Sequence, residues 1–506
     1  MNFALHILND LKNNPDRICL LHGFGSHMRE YRSGELYQKI MQFGRFLKNN
    51  IQKKNAVIGI VMHNSPDWVV ADLACLSHGI TVLPLPLGFS RYQADFLASQ
   101  CDAFLIDDRG RTTLTEKWLQ PITSKIFSVP EILADFDSND QTVSLGLIPS
   151  LPSDWTCKII HTSGTTSRPK GVKQSLGGLD IILNALLQKV PQHNHKVYLS
   201  LVPLSLLIEQ VTAIYLPLLS RGIIHFLEPD TPLIGEKNCQ LDTLLYRLQE
   251  AGATAVTVPP AMLDIFLLIT ATNNKIKNYL QNNVHITVGG APVSAEKIRM
   301  LKALNISVYE GYGLSENGSV VSTGTYSENK IGSVGKPLSH VQVRINSNNI
   351  VEIKSTSLFQ GYSEIDPSAC SISQDGWLDT GDIGFIDDEG YLHITGRAKN
   401  MLCLPNGRNV SPEQVEISFQ DQPEVEQAIL FLSDTQQLTI FLVVTPLFNI
   451  NTIKKWSEEA FSEVERPDSF WIVAPNSHEW ASIREESITQ KRKLLAEMAI
   501  PHLVTS

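Results

Sequence analysis

The segment Thr162-Ser163-Gly164-Thr165-Thr166-Ser167-Arg168-Pro169-Lys170-Gly171 gathers hydroxyls, small residues and a lysine directly after the apolar run KIIHT (158–162). Small residues let a backbone come close to a polyphosphate, their N–H and hydroxyl groups donate to it, and a lysine adds charge. The chemistry indicated is the gripping of phosphates. It is not a P-loop, because the spacing from Gly164 to Gly171 is wrong and Lys170 precedes the second glycine. The plain alternative is a flexible Ser/Thr/Gly linker. Linkers rarely follow a buried strand and end in Pro-Lys-Gly.

Further landmarks follow in order. Gly289-Gly290-Ala291-Pro292 closes one apolar run, and Tyr309-Glu310-Gly311-Tyr312-Gly313-Leu314-Ser315-Glu316 closes the next. Trp377-Leu378-Asp379-Thr380-Gly381-Asp382 and Gly396-Arg397 come later. Singly, each reads as an ordinary turn. Together with the first segment, the series resembles the acyl-adenylate-forming superfamily, which includes acyl-CoA synthetases, adenylation domains of peptide synthetases, and luciferases. The likeness runs from near Ala56 to Lys493. A glycine usual in the phosphate loop is here Ser167.

The resemblance implies roles. Thr162, Ser163, Gly164, Thr165, Thr166 and Lys170 would hold the phosphates of ATP, with Thr165 also counted as catalytic. Gly290, Ala291 and Pro292 would line the adenine and acyl pockets with Glu310, Gly311 and Gly313. Tyr312 would stack on adenine, Ser315 would meet phosphate, and Glu316 would be both catalytic and the magnesium ligand. Magnesium takes carboxylate and phosphate oxygens and keeps several waters. Asp382 would accept from the ribose hydroxyls, beside Arg397, and Lys399 would be the hinge between a large and a small domain. A last lysine contacts the carboxylate and α-phosphate in the family. The context Thr489-Gln490-Lys491-Arg492-Lys493 assigns it to Lys493, with Lys491 as rival and Arg492 where glycine is common. The activity implied is ATP-dependent activation of a carboxylic acid to acyl-AMP, then transfer to a thiol. The thiol would be that of coenzyme A or the phosphopantetheine of a separate acyl carrier protein. An adenylation-only relative or a silent binding protein would share these motifs.

Amino-acid-activating relatives pair an Asp with the substrate ammonium. The corresponding stretch, VPLSLLIEQVTAIYLPLL (202–219), has no Asp, and Glu209 is its only acid. An unpaired buried ammonium is costly, so the stretch points to a fatty or aryl acid. A histidine common there is Leu206.

The elements that must position these residues are βα units. Apolar β-branched runs alternate with helix-length stretches, as around parallel sheets. One series starts at AVIGIVM (56–62), with a helix from Asp67 to His78, TVLPL (81–85), a helix near 91–99 and AFLID (103–107). A second begins at KIIHT and runs through VYLSLVP (197–203), IIHFL (223–227), TAVTVP (254–259) and HITVGG (285–290). From about residue 320 short strands such as VQVRI, IVEIK and YLHIT read as β-rich. Residues 360–376 read as a surface loop. Beyond GRAKN (396–400) comes a smaller α/β unit with a helix SPEQVEISF, Ser411 at its N-cap. The expected class is therefore α/β. Residues 1–398 form a large adenylation domain of stacked βα sheets plus a β-rich subdomain, and 399–506 a small mobile C-terminal domain.

The bulk numbers agree with a folded, multi-domain protein: 506 residues, 43% hydrophobic and 19% charged. A net charge of -10 without a basic run leaves nucleic-acid binding without its electrostatic term. The seven scattered cysteines show no metal or redox spacing, and suit a reducing compartment. The N-terminus lacks signal-peptide texture, and no apolar stretch could span a bilayer. The expected location is the cytoplasm.

Overall fold

The computed structural model describes residues 2–118, 125–138, 151–162, 170–363, 372–405, 408–498 and 504–505. Three sheets build the large domain and a fourth anchors the small one. The first has six strands in the order Lys125–Ser128, Ala103–Ile106, Val57–Val61, Thr81–Pro84, Thr156–Thr162, Lys170–Ser175. All are parallel except the last, which turns back antiparallel on Thr156–Thr162. The second sheet has nine strands. Its parallel centre runs from Val308–Tyr312 through His285–Val288, Ala255–Val258, Val197–Ser200 and Ile223–Phe226 to Ile18–His22.

The β-rich region is an antiparallel four-stranded sheet of Val341–Ile345, Ile350–Ser355, Leu378–Ile386 and Leu392–Arg397. Beyond a short helical turn at Ala398–Asn400, a hairpin (Leu402–Cys403 with Asn409–Val410) leads to the helix Pro412–Gln420. That helix packs on a sheet whose long strands are Val425–Leu432, Leu438–Val444 and Ser469–Val473. The final helix, Ile488–Met498, also packs on Val425–Leu432.

Local chemistry accounts for the elements read from sequence. Pro66–Ser77 forms where expected, with Pro66 in the first turn and the Ser65 hydroxyl accepting from the Trp68 N–H at 3.3 Å. Its buried face is continuous because the helix lies between layers. Four of the cysteines, Cys19, Cys75, Cys101 and Cys157, are buried as small hydrophobes.

Four points of the sequence reading need correction. The strand Thr156–Thr162 belongs to the first sheet, beside Thr81–Pro84, and does not open the second series. Chain order does not fix a strand's neighbour. The strand Ile18–His22 was not foreseen; its five residues carry little periodicity, and its partner Ile223–Phe226 lies some two hundred positions away. The segment from 360 begins as paired backbone: Lys173 N–H donates to Gly361 O at 3.1 Å and Ser363 N–H to Gly171 O at 2.7 Å. Residues 364–371 of that segment lie outside the described residues. At the small-domain helix Ser411 occupies the N-cap, but its hydroxyl does not cap. It donates instead to Thr395 O at 2.6 Å, tying the helix to the last strand of the third sheet.

Under the first sheet, Lys158, fully buried on Thr156–Thr162, pairs with Asp72, and the Tyr215 hydroxyl donates to the same carboxylate at 2.6 Å. Buried charges persist when paired and hydrogen-bonded. Among the described residues no helix is long and apolar enough to cross a membrane.

Candidate active site

The carboxyl edges of the parallel strands carry the candidate residues, as open α/β sheets carry ligands. From the first sheet, Thr162 ends one strand and Lys170 starts its antiparallel partner, the two being in register. The intervening Ser163, Gly164, Thr165 and Thr166 lie outside the described residues. From the second sheet, the strand Val308–Tyr312 ends in a turn, Gly313-Leu314, and a single helical turn Ser315–Asn317. Gly313 admits no side chain, since a Cβ there would lie 1.8 Å from the Ser319 carbonyl oxygen. From the third sheet comes Asp382.

The third-sheet contribution is a bulge within a strand, where the sequence suggested a free turn. Leu378–Ile386 runs as one nine-residue strand whose pairing with Ile350–Ser355 shifts between Ile350 and Glu352. Gly381 takes φ +68 there, a left-handed conformation open to glycine. Bulges re-aim side chains, and this one precedes Asp382, which sits 3% exposed opposite Arg397 on the next strand.

Two short chains of contacts cross these sheets. In one, the Tyr312 hydroxyl donates to Asp382 Oδ2 at 2.6 Å and Arg397 Nε lies 2.7 Å from Asp382 Oδ1. Burial pushes the Asp382 carboxyl up, while Arg397, the Tyr312 hydrogen bond and Lys399 pull it down. In the other, the Tyr362 hydroxyl donates to Glu316 Oε1 at 2.9 Å, and Lys170 Nζ stands 5.1 Å from the centre of the Tyr362 ring. Lys399 links the two electrostatically. Partial burial lowers it first, then Arg397; Asp382 raises it, and the charge of Lys170 lowers it.

The remaining expected residues are less gathered. Gly290, Ala291 and Pro292 are exposed just beyond the strand His285–Val288. Gly311 pairs with Thr323. Glu310 is 6% exposed and its carboxylate accepts from Gly332 N–H at 3.0 Å, with burial pushing it up to about 7. The Ser315 carbonyl accepts from the Gln174 side chain, which fixes the turn carrying Glu316 to the first sheet.

Glu209 is 1% exposed, and its role is internal. Its Oε1 accepts from Ser200 Oγ at 2.8 Å and Leu201 N–H at 3.1 Å, and Oε2 from the Tyr198 hydroxyl at 3.3 Å. Burial pushes it up to about 7. The apolar residues around it mostly enter the core: Leu204, Leu207, Val211, Ile214 and Leu216 are buried, while Leu206 is 41% exposed. The apolar texture of 202–219 is therefore mainly packing.

In the small domain Lys493 is exposed on the last helix, and no hydrogen bond or ion pair among the described residues joins it to the large domain. Its rival Lys491 is half-buried, with Nζ 5.1 Å from the centre of the Trp480 ring. Sequence reasoning missed Tyr362 and Gln174. Tyr362 was hidden in a stretch read as loop, and Gln174 looked like an ordinary strand residue.

A carboxylate held by a tyrosine hydroxyl, whose ring also faces the lysine that opens the strand Lys170–Ser175, can share a magnesium ion with phosphate. Magnesium is usually bound by one or two carboxylates together with phosphates and water. Glu316 fits that pattern.

Comparison with known proteins gives the family and the fold. The family model described as AMP-binding enzyme matches residues 9–362. A 2-succinylbenzoate–CoA ligase of Bacillus pumilus is 23% identical over 490 residues, covering 91% of this chain and 92% of that one. A long-chain-fatty-acid–CoA ligase of Xenopus laevis is 23% identical over 484 residues, covering 80% of this chain and 64% of that one. The o-succinylbenzoate CoA synthetase of Bacillus subtilis, solved with its acyl-adenylate intermediate, shares the fold. Its TM-score is 0.76 at 20% identity, covering 92% of this chain and 94% of that one.

Proposed function

The chain belongs to the AMP-binding enzyme family, and on that premise we propose that it is an acid–thiol ligase. It activates a carboxylic acid with ATP as acyl-AMP and passes the acyl group to coenzyme A. The observation that carries this is the meeting of three sheets at one seam, where Tyr312, Asp382 and Arg397 lie beside Lys170, Tyr362 and Glu316.

In the first step a carboxylate oxygen attacks the α-phosphorus of ATP, a phosphoanhydride bond breaks, and pyrophosphate leaves. The attacking group is already ionised, so no base is required. The work is positioning and charge stabilisation. Asp382, held in place from both sides, accepts from the ribose hydroxyls through its remaining lone pairs. Tyr312, tethered by its hydroxyl, offers a ring face for the adenine. Lys170 and the hydroxyls from Thr162 to Thr166 grip the phosphates. Glu316 holds the magnesium ion, which when bound neutralises charge on the phosphate oxygens. Lys493 is brought over the meeting anions by movement about Lys399.

In the second step the thiol sulfur attacks the acyl carbon, AMP leaves with the bonding electrons, and the thiol proton passes to solvent. Coenzyme A is chosen over a carrier protein because the relatives are CoA ligases. The acid is fatty or aryl, because Glu209 is already committed and offers no partner to a substrate ammonium.

The test is pyrophosphate exchange across fatty, aryl and amino acids, followed by product analysis with coenzyme A, a carrier protein or neither. Exchange with a fatty or aryl acid and thioester on coenzyme A are expected. Absence of exchange with every acid would overturn the reading, and thioester only on a carrier would move the acceptor.

A further inference from the structure

The residue before Lys493 departs from the family pattern, and the structure shows what it does. Arg492, 10% exposed, reaches Glu416 with Nη2 at 2.8 Å and 3.0 Å from the two carboxylate oxygens. Its Nε donates to Leu430 O at 3.1 Å, and the same Glu416 accepts from Leu430 N–H at 2.8 Å. One guanidinium thus ties the last helix to the helix Pro412–Gln420 and to the strand Val425–Leu432.

The helix Ile488–Met498 needs such a tie. Leu495 is its only fully buried residue among those described, and Leu494, Ala496 and Met498 pack partly buried beside it, so its apolar contacts gather towards its C-terminal end, beyond Arg492. Arg492 stands three positions before Leu495, on the same face, and adds a directional anchor one turn away. Lys493 is the next residue, about 100° round the helix and open to solvent. Every partner of the clamp belongs to the small domain, so the clamp moves with Lys493.

We propose that Arg492 and Glu416 are positioning residues for the adenylation step, fixing the rotation and register of the last helix so that Lys493 arrives between the reacting anions at a defined place. This rests on the assignment of Lys493 above. A misplacement of about 1 Å at a reacting group can cost on the order of a hundredfold in rate, and the planar fork of arginine suits this task better than lysine.

Removing Arg492 alone leaves a buried carboxylate unpaired and can unfold the small domain. The paired change Arg492→Met with Glu416→Gln removes both charges together, and Arg492→Lys keeps the charge but loses the fork. Each variant is melted, and the two half-reactions are measured apart. Acyl-AMP formation is read by pyrophosphate exchange, and thioester formation is read from supplied acyl-adenylate. The expected result is a fall of about tenfold or more in adenylation kcat with KM for ATP within about threefold. Thioester formation should be unchanged and the melt cooperative. Adenylation kcat within twofold of the parent in the folded double variant overturns the clamp, as does an equal fall in both half-reactions. Lys493→Ala runs alongside. If it leaves adenylation intact, the assignment of Lys493 fails and the clamp with it; if it abolishes adenylation while the Arg492 variants do not slow it, the clamp alone fails.

Discussion

Asp382→Asn separates nucleotide binding from folding more cleanly than any other change at the seam. The side chain keeps its shape, and the Tyr312 hydroxyl, now 2.6 Å from Oδ2, can still donate to the amide oxygen. The ion pair with Arg397 is lost, but that arginine side chain is 49% exposed and stays hydrated. The Asp382 side chain itself is only 4% exposed, but solvent at the arginine end screens the pair, so it contributes on the order of 1 kcal/mol. The variant also avoids burying a carboxylate that burial pushes up. The expected cost to folding is therefore about 1 kcal/mol or less. Binding is different, since a hydrogen bond to a charged acceptor is worth about 1.5–3 kcal/mol net. Losing it should raise KM for ATP by roughly 10- to 150-fold. The assay is pyrophosphate exchange over an ATP series, with a thermal melt of the same preparation. A KM within twofold of the parent would refute the ribose role, and a collapsed melt would show that Asp382 is mainly structural.

Glu316→Gln keeps an acceptor for the Tyr362 hydroxyl but removes the charge offered to magnesium. The magnesium concentration for half-maximal exchange should rise about tenfold, one charge-assisted contact of ~1.4 kcal/mol, and an unchanged magnesium titration would contradict the assignment. Gly313→Ala drives a Cβ to 1.8 Å from the Ser319 oxygen. It should destabilise the large domain by about 1–3 kcal/mol, read as a lower melting temperature; a parental melt would show the turn can open. His285 is pushed down to about 4, by burial first and then by His195 and His193, whereas an unfolded histidine protonates near 6.5. Between those values the unfolded chain holds the extra proton, so stability present above pH 6.5 is lost as the pH falls towards 4. His285→Gln should lose about 2–3 kcal/mol less than the parent between pH 7 and 4.5. Urea unfolding at both pH values measures this, and parallel losses would discount His285.

What could be read in the sequence was whatever is local. The Tyr312 turn and the helix at Pro66 announce themselves within ten residues, because capping and turn chemistry depend on near neighbours. Sheet membership depends on distant ones. Thr156–Thr162 and Ile18–His22 sit beside strands that nothing in their own composition names. The bulge at Gly381 was legible as a glycine but not as a bulge, because only the partner strand reveals the shift. Glu209 shows the same limit. The sequence marked it only as the sole acid of an apolar stretch, and its three-dimensional neighbours give it to the end of Val197–Ser200.

The proposed source of the neutralising charge for adenylation, assigned to Lys493 by resemblance, fits the engagement of the cations around it. Two anions have to meet, and they repel until a cation stands between them. Arg397 is paired with Asp382, and Lys170 sits against Tyr362 at the phosphate end. Lys399 is lowered first by partial burial and then by Arg397 and Lys170, and sits in the short helical turn Ala398–Asn400. In the small domain Arg492 is engaged by Glu416 and Lys491 lies over Trp480. Lys493 enters none of the hydrogen bonds or ion pairs formed by the described residues. A cation that must arrive for one half-reaction and leave before the thiol approaches is best left unpaired on a body that moves. Its cost in lost side-chain freedom would then fall at the moment of use, and the proposed clamp at Arg492 would hold the helix and leave the side chain free.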